Sequence, residues 1–207
     1  MKKKVSVLLT TIVMVLLTIF SINSINAKKV KYTKNDAYQY GKIWKKSYEH
    51  NKSKYKKGKL DIEIVKDNAE QAKQDIDSDT DVEEVVDKEI SKQCLYKAAC
   101  DEGFEISDDE AKKIAKEQRA SVKDSDEYKQ VKEFIRGAEM TEDEYWDAMI
   151  IQYKMSETIN NYLSYIESKE LKDYENFDAE SYQKKVLEID EKIRQKAVKK
   201  YRKSIVK

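Results

Sequence analysis

One histidine, two cysteines and four glycines set narrow limits on the chemistry open to this 207-residue chain. His50 lies in a lysine-rich stretch, and no serine or cysteine has a geometric claim on its imidazole. No nucleophile–base pair is therefore legible, and His50 reads as an exposed surface residue. Four scattered glycines cannot build a loop that cradles phosphate. No Cys/His spacing suits zinc. The acidic strings at 75–81 and 108–110 lack the glycine and ligand spacing of a calcium loop, and read as loops and first-turn acids favoured by the helix dipole. Carboxylates are so abundant that no pair of them signals acid–base catalysis. Cys94 and Cys100 lie six apart in one predicted helix. Six residues rise about 9 Å and turn about 240°, which is too far for a disulfide, so both read as small apolar core residues. No enzyme activity, cofactor or metal is expected.

What remains is recognition through apolar surface. Fourteen tyrosines and five methionines are generous for so polar a chain. Tyr40, Trp44 and Tyr48 recur every four residues, which places them on one face of a helix. Tyr145, Trp146, Met149 and Tyr153 crowd a second stretch, where Trp146 and Met149 share a face and Tyr145 neighbours Met149. Aromatic rings give contact area with little loss of entropy, and methionine adapts its shape. These seven residues are the candidate groove for a partner's side chains. The alternative is that they are core, with Tyr40, Trp44 and Tyr48 packed against the helix over 82–101 and the long helix that starts at Thr141.

The elements that position them are helical throughout. With no proline, 39% charged residues and 40% hydrophobic residues, the composition suits an all-α bundle with a strongly solvated surface. Thr33 with Asp36 starts the first helix, which fades in the lysine-rich residues 53–58. Ile62, Val65, Ala69, Ala72 and Ile76 mark the second, whose first residues, where Leu60, Ile62 and Ile64 alternate, can also be extended. Residues 77–81 break the chain. The third helix, Val82–Asp101, has Thr80 and Glu83 as its expected capping box and stops at Gly103. Ser107 and Glu110 restart the chain, and a short helix carrying Val131 and Phe134 ends at Gly137. Thr141 and Glu144 form another capping box, with Met140 and Tyr145 at the positions of a hydrophobic staple. The helix that follows is the longest and most apolar, hence central. After the charged residues 167–176, Asp178 caps a last helix over 178–205, with Phe177 and Tyr182 as its staple.

The first 27 residues are read separately. Lys2, Lys3 and Lys4 precede an apolar run over residues 5–20 and small or polar residues up to Ala27, the layout of a secretory signal peptide; an uncleaved anchor is the alternative. The expected folded part is one domain over 28–207, exported to the cell envelope or beyond. Its charge is unevenly placed. Residues 28–60 carry twelve lysines against Asp36 and Glu49, residues 191–207 carry eight bases against Glu191, and the middle is strongly acidic. The expectation is that the basic ends pack beside the acidic middle; weak contact with anionic wall polymer or a membrane surface is the alternative. Nucleic acid is not an expected partner.

Three stretches carry a resemblance: Val85-Val86-Asp87-Lys88-Glu89-Ile90 with Leu95-Tyr96-Lys97-Ala98, then Glu102-Gly103-Phe104-Glu105-Ile106-Ser107-Asp108-Asp109-Glu110, then Gly137-Ala138-Glu139-Met140-Thr141-Glu142-Asp143-Glu144-Tyr145-Trp146. Their order and spacing resemble the N-terminal, non-catalytic domain of SurA/PrsA-type export chaperones, over residues 80–166. The chain departs from that family where Val30-Lys31-Tyr32-Thr33 replaces a Val-Asn-Gly opening. It also has no room for a parvulin prolyl isomerase domain, since residues 167–176 are too few and no histidine follows His50. The resemblance implies a client-binding lobe without the isomerase, closed by the last helix packing back on it. It further implies an ATP-independent holdase for unfolded or newly secreted polypeptides. A surface module for one folded envelope partner is the second reading.

Overall fold

A computed structural model describes residues 33–55, 59–123, 125, 128–172 and 178–206. The expected signal peptide, and the Phe177 half of the last staple, lie outside the described residues. Seven helices follow in order among them: α1 Lys34–Tyr55, α2 Ile62–Asp75, α3 Val82–Asp101, α4 Asp108–Lys123, α5 Tyr128–Gly137, α6 Glu142–Glu170 and α7 Ala179–Ile205. The chain is an all-α bundle closed by its C-terminal helix.

Helix starts follow local side-chain chemistry. The Thr33 N–H donates to the Asp36 carboxylate (2.7 Å) while the Asp36 N–H donates to Thr33 Oγ1 (3.1 Å). Thr141 and Glu144 make the reciprocal capping box at α6, and Met140 packs against the core just ahead of it. Asp178 accepts from the backbone of Glu180 and Ser181 at α7. The Glu110 N–H donates to Ser107 Oγ at α4. One expectation is corrected: Asp81, not Thr80, caps α3, accepting from the Glu84 N–H at 3.1 Å. Thr80 is buried, and a carboxylate at that position also meets the positive end of the helix.

Two helices end in the same way on different residues. Gly103 has φ +84° and Glu139 has φ +50°. In each case the next N–H reaches five residues back, Phe104 to the Ala99 carbonyl and Met140 to the Ile135 carbonyl. This is the Schellman turn, which needs a left-handed residue. The short helix does end at Gly137, as its position predicts, and the turn after it takes its left-handed residue from Glu139 rather than from a glycine. Gly137 is needed for a different reason. A Cβ there would lie 1.9 Å from the Tyr38 carbonyl oxygen, and one on Gly41 would lie 2.1 Å from the Phe134 carbonyl oxygen. Helices α1 and α5 cross backbone to backbone at these two glycines.

The remaining packing follows the amphipathic stripes. α7 lies along α3 and reaches α6, α4 lies along α6, and α2 bridges α1 and α3. The Ile106 N–H donates to Thr158 Oγ1 inside the core (3.2 Å), fixing the α3–α4 connection to α6. The Leu60 N–H donates to the Ile205 carbonyl (3.1 Å), and both side chains are buried, so the residue ahead of α2 is held by the end of α7. The extended reading of residues 60–64 shrinks to this one bridge, since α2 starts at Ile62. The basic ends do meet the acidic middle: Arg202 pairs with Asp87 (3.2 Å) and Lys45 with Glu139 (3.6 Å).

Candidate functional site

The structure brings the sequence candidates together, but inside the bundle. Trp44 of α1 stacks on Tyr48 (ring centroids 4.9 Å) and meets Phe134 of α5 (5.6 Å) and Tyr145 of α6 (6.2 Å), while Tyr145 meets Trp146 edge-on (5.2 Å). Tyr40, Trp44, Tyr145, Trp146, Met149 and Tyr153 are all buried, none more than 8% exposed. Tyr48 is half-buried against them. The expectation of an open groove lined by these residues is corrected to the core alternative. The physical reason is the glycine crossing, which lets α5 close over the aromatic face of α1. Burial raises the Tyr145 phenol well above its ordinary value and raises that of Tyr153. Trp146 Nε1 is buried without a hydrogen-bond partner, a local cost of so aromatic a core.

Cys94 is buried, and burial pushes its thiol up to about 11. Cys100 is only half-buried, so the small-apolar-core reading holds fully for Cys94 alone; both thiols are free. The His50 ring lies 2.9 Å from the Asp61 carboxylate on the surface. Among the described residues no group of three His, Cys, Asp or Glu side chains is placed to hold a metal ion. No helix among them is long and apolar enough to cross a membrane.

An open cleft with an apolar floor lies elsewhere, between α6 and α7 at the C-terminal end of α3. Ala98 and Glu102 come from α3 and its cap, Tyr162, Ile166 and Glu170 from α6, and Lys192, Ile193, Lys196, Ala197, Lys200 and Tyr201 from α7. Together they line a cleft of about 260 Å³. Its floor is apolar, because Ala98, Ile193 and Ala197 belong to the buried core. Its wall is firm, because the Tyr201 hydroxyl donates to Asp101 at 2.7 Å. That bond is the chief reason the Asp101 carboxyl sits below the ordinary aspartate range. Beside the cleft is an aromatic shelf. Phe104 follows the Gly103 turn and meets Tyr162 (5.5 Å) and Tyr165 (5.1 Å). Tyr165 is 45% exposed, the most exposed large hydrophobic residue among those described, and Lys169 lies 4.1 Å over its ring. Leu187 and Tyr182, further along α7 towards its start, are exposed as well.

Sequence reasoning missed this surface. Tyr162 and Ile166 continue the helical stripe of the buried Ile159 and Leu163, and Phe104 follows a turn at Gly103. The available signal was Tyr165, which neighbours Tyr162 but falls outside that stripe. An apolar residue off the stripe, at helical spacing from an aromatic on it, marks the edge of a buried face.

Comparison with known proteins gives no relative: no family model, no curated protein and no solved structure matches this chain.

Proposed function

We propose that this chain is an exported, ATP-independent holdase that binds unfolded or newly secreted polypeptides, and that the binding surface is the α3–α6–α7 cleft with its aromatic shelf. The carrying observation is the run of half-exposed and exposed rings, Phe104, Tyr162 and Tyr165, leading into an apolar-floored cleft. A contiguous apolar surface with a polar rim is where a soluble protein takes up a partner. Binding there needs no covalent chemistry, only removal of apolar side chains from water. The 39% charged residues would keep a loaded complex soluble. Export rests on the lysines and apolar run of residues 1–20. The resemblance to the client-binding lobe of SurA/PrsA-type chaperones points the same way.

The test is light scattering from a chemically denatured model protein diluted into buffer without ATP. Near-stoichiometric amounts of this chain should suppress the scattering, and a Tyr162→Ser/Tyr165→Ser variant of unchanged helicity should lose most of the effect. Full scattering with the folded wild-type chain would overturn the proposal.

A second reading, a module for one folded envelope partner, draws on the size of the cleft. About 260 Å³ holds one or two side chains rather than a long segment. Tight binding of one native envelope protein, with unfolded chains ignored, would favour it.

A further inference from the structure

We infer that the cleft prefers polypeptide segments in which an aromatic or branched aliphatic residue is flanked by acidic residues. This rests on the peptide-binding reading above and adds the class of client. The two walls of the cleft differ in charge. Lys192, Lys196 and Lys200 stand one helical turn apart along the α7 wall, all exposed and all lining the cleft. Lys200 already has company: it lies 4.7 Å over the Tyr201 ring, in the field of Asp101 and Glu102. Lys192 and Lys196 have no ion-pair partner among the described residues. The opposing rim supplies Glu102, beside Lys200, and Glu170. The tail behind the wall deepens the imbalance, with eight bases against Glu191 in residues 191–207.

An extended chain laid along α7 would drop an apolar side chain onto the floor and set its neighbours against Lys192 and Lys196. Acidic neighbours then gain two attractive contacts, and basic ones meet repulsion. Each contact is exposed and modest, so selectivity rather than affinity is the expected product. The apolar anchor supplies most of the binding, and the lysines decide which anchors stay.

The test uses the full chain and fluorescence anisotropy with labelled Gly/Ser peptides. Three carry one central Phe flanked by Asp, Ser or Lys, and a fourth carries the Asp flanks without Phe. The Asp-flanked Phe peptide should bind about tenfold tighter than the Lys-flanked one, the order of two exposed pairs changing sign. The gap should shrink at about 0.5 M salt. Lys192→Glu/Lys196→Glu should invert the order, and Lys192→Gln/Lys196→Gln should level it. Equal affinity for Asp and Lys flanks while denatured protein is still held would overturn this inference and leave the holdase reading standing. Equal binding without Phe would overturn it in favour of a simple polyanion site. No binding of any peptide, together with no suppression of aggregation, would remove the underlying reading as well.

Discussion

Replacing either crossing glycine by alanine should open the bundle at its aromatic heart. A Cβ on Gly41 falls 2.1 Å from the Phe134 carbonyl oxygen and 2.8 Å from the Ala138 nitrogen, and one on Gly137 falls 1.9 Å from the Tyr38 carbonyl oxygen. The struck atoms are backbone, so no rotamer change can relieve the contact. Ordinary contact begins near 3.4 Å, so α1 and α5 must part by more than about 1 Å, the scale of damaging overpacking. That separation loosens the contacts of Trp44 with Phe134 and Tyr145. Overpacking of this kind costs about 3 kcal/mol, and the better helix propensity of alanine returns about 1. A net loss of about 2 kcal/mol is expected for each variant. The double variant should lose less than the sum, because both side chains force open the same gap. Guanidinium unfolding followed by circular dichroism and tryptophan fluorescence measures this. Gly103→Ala is the control: no atom lies within 4 Å of its added Cβ, and only φ +84° opposes it, for about 1 kcal/mol. If Gly41→Ala and Gly137→Ala were neutral or stabilising, as propensity alone dictates, the crossing would not exist in solution.

Three further outcomes follow from single sites. Thr141→Ala removes one half of the α6 capping box and should cost about 1 kcal/mol in chemical denaturation. Glu139→Gly should stabilise by about 0.5–1 kcal/mol in the same assay, because it relieves a left-handed φ of +50° at the loss of one exposed pair with Lys45. Glu167→Gln should raise the melting temperature at pH 7 but leave it unchanged near pH 3. Burial and then the facing Asp190 raise the Glu167 carboxyl above its ordinary range, so its ionisation opposes folding at neutral pH and that penalty vanishes once the group is protonated.

Local signals were readable in the sequence and non-local ones were not. The starts at Thr33, Ser107, Thr141 and Asp178 depend on residues within one turn, and their hydrogen bonds form where spacing placed them. Periodicity placed Val65, Ala69 and Ala72 on the buried face of α2 for the same reason. The glycine crossing was invisible, since Gly41 and Gly137 are far apart in the chain and each is explained only by the other's helix. The fate of Tyr40 and Trp44 hung on that crossing: an aromatic stripe looks alike whether a neighbour covers it or a client does. The open cleft was hidden too, because Tyr162 and Ile166 follow the same stripe as the buried Ile159 and Leu163. Which end of a stripe stays uncovered depends on where the neighbouring helices lie, and one helix's own residues do not encode that.

Hydrogen exchange of the full chain, alone and with a denatured client, shows which surface a client covers. Exchange should slow only at residues 98–105, 162–170 and 192–201 when client is present, with α1 and α5 unchanged. Protection or deprotection centred on Tyr40, Trp44 and Tyr145 would contradict the cleft as the client site, because the client would then enter by opening the buried aromatic core.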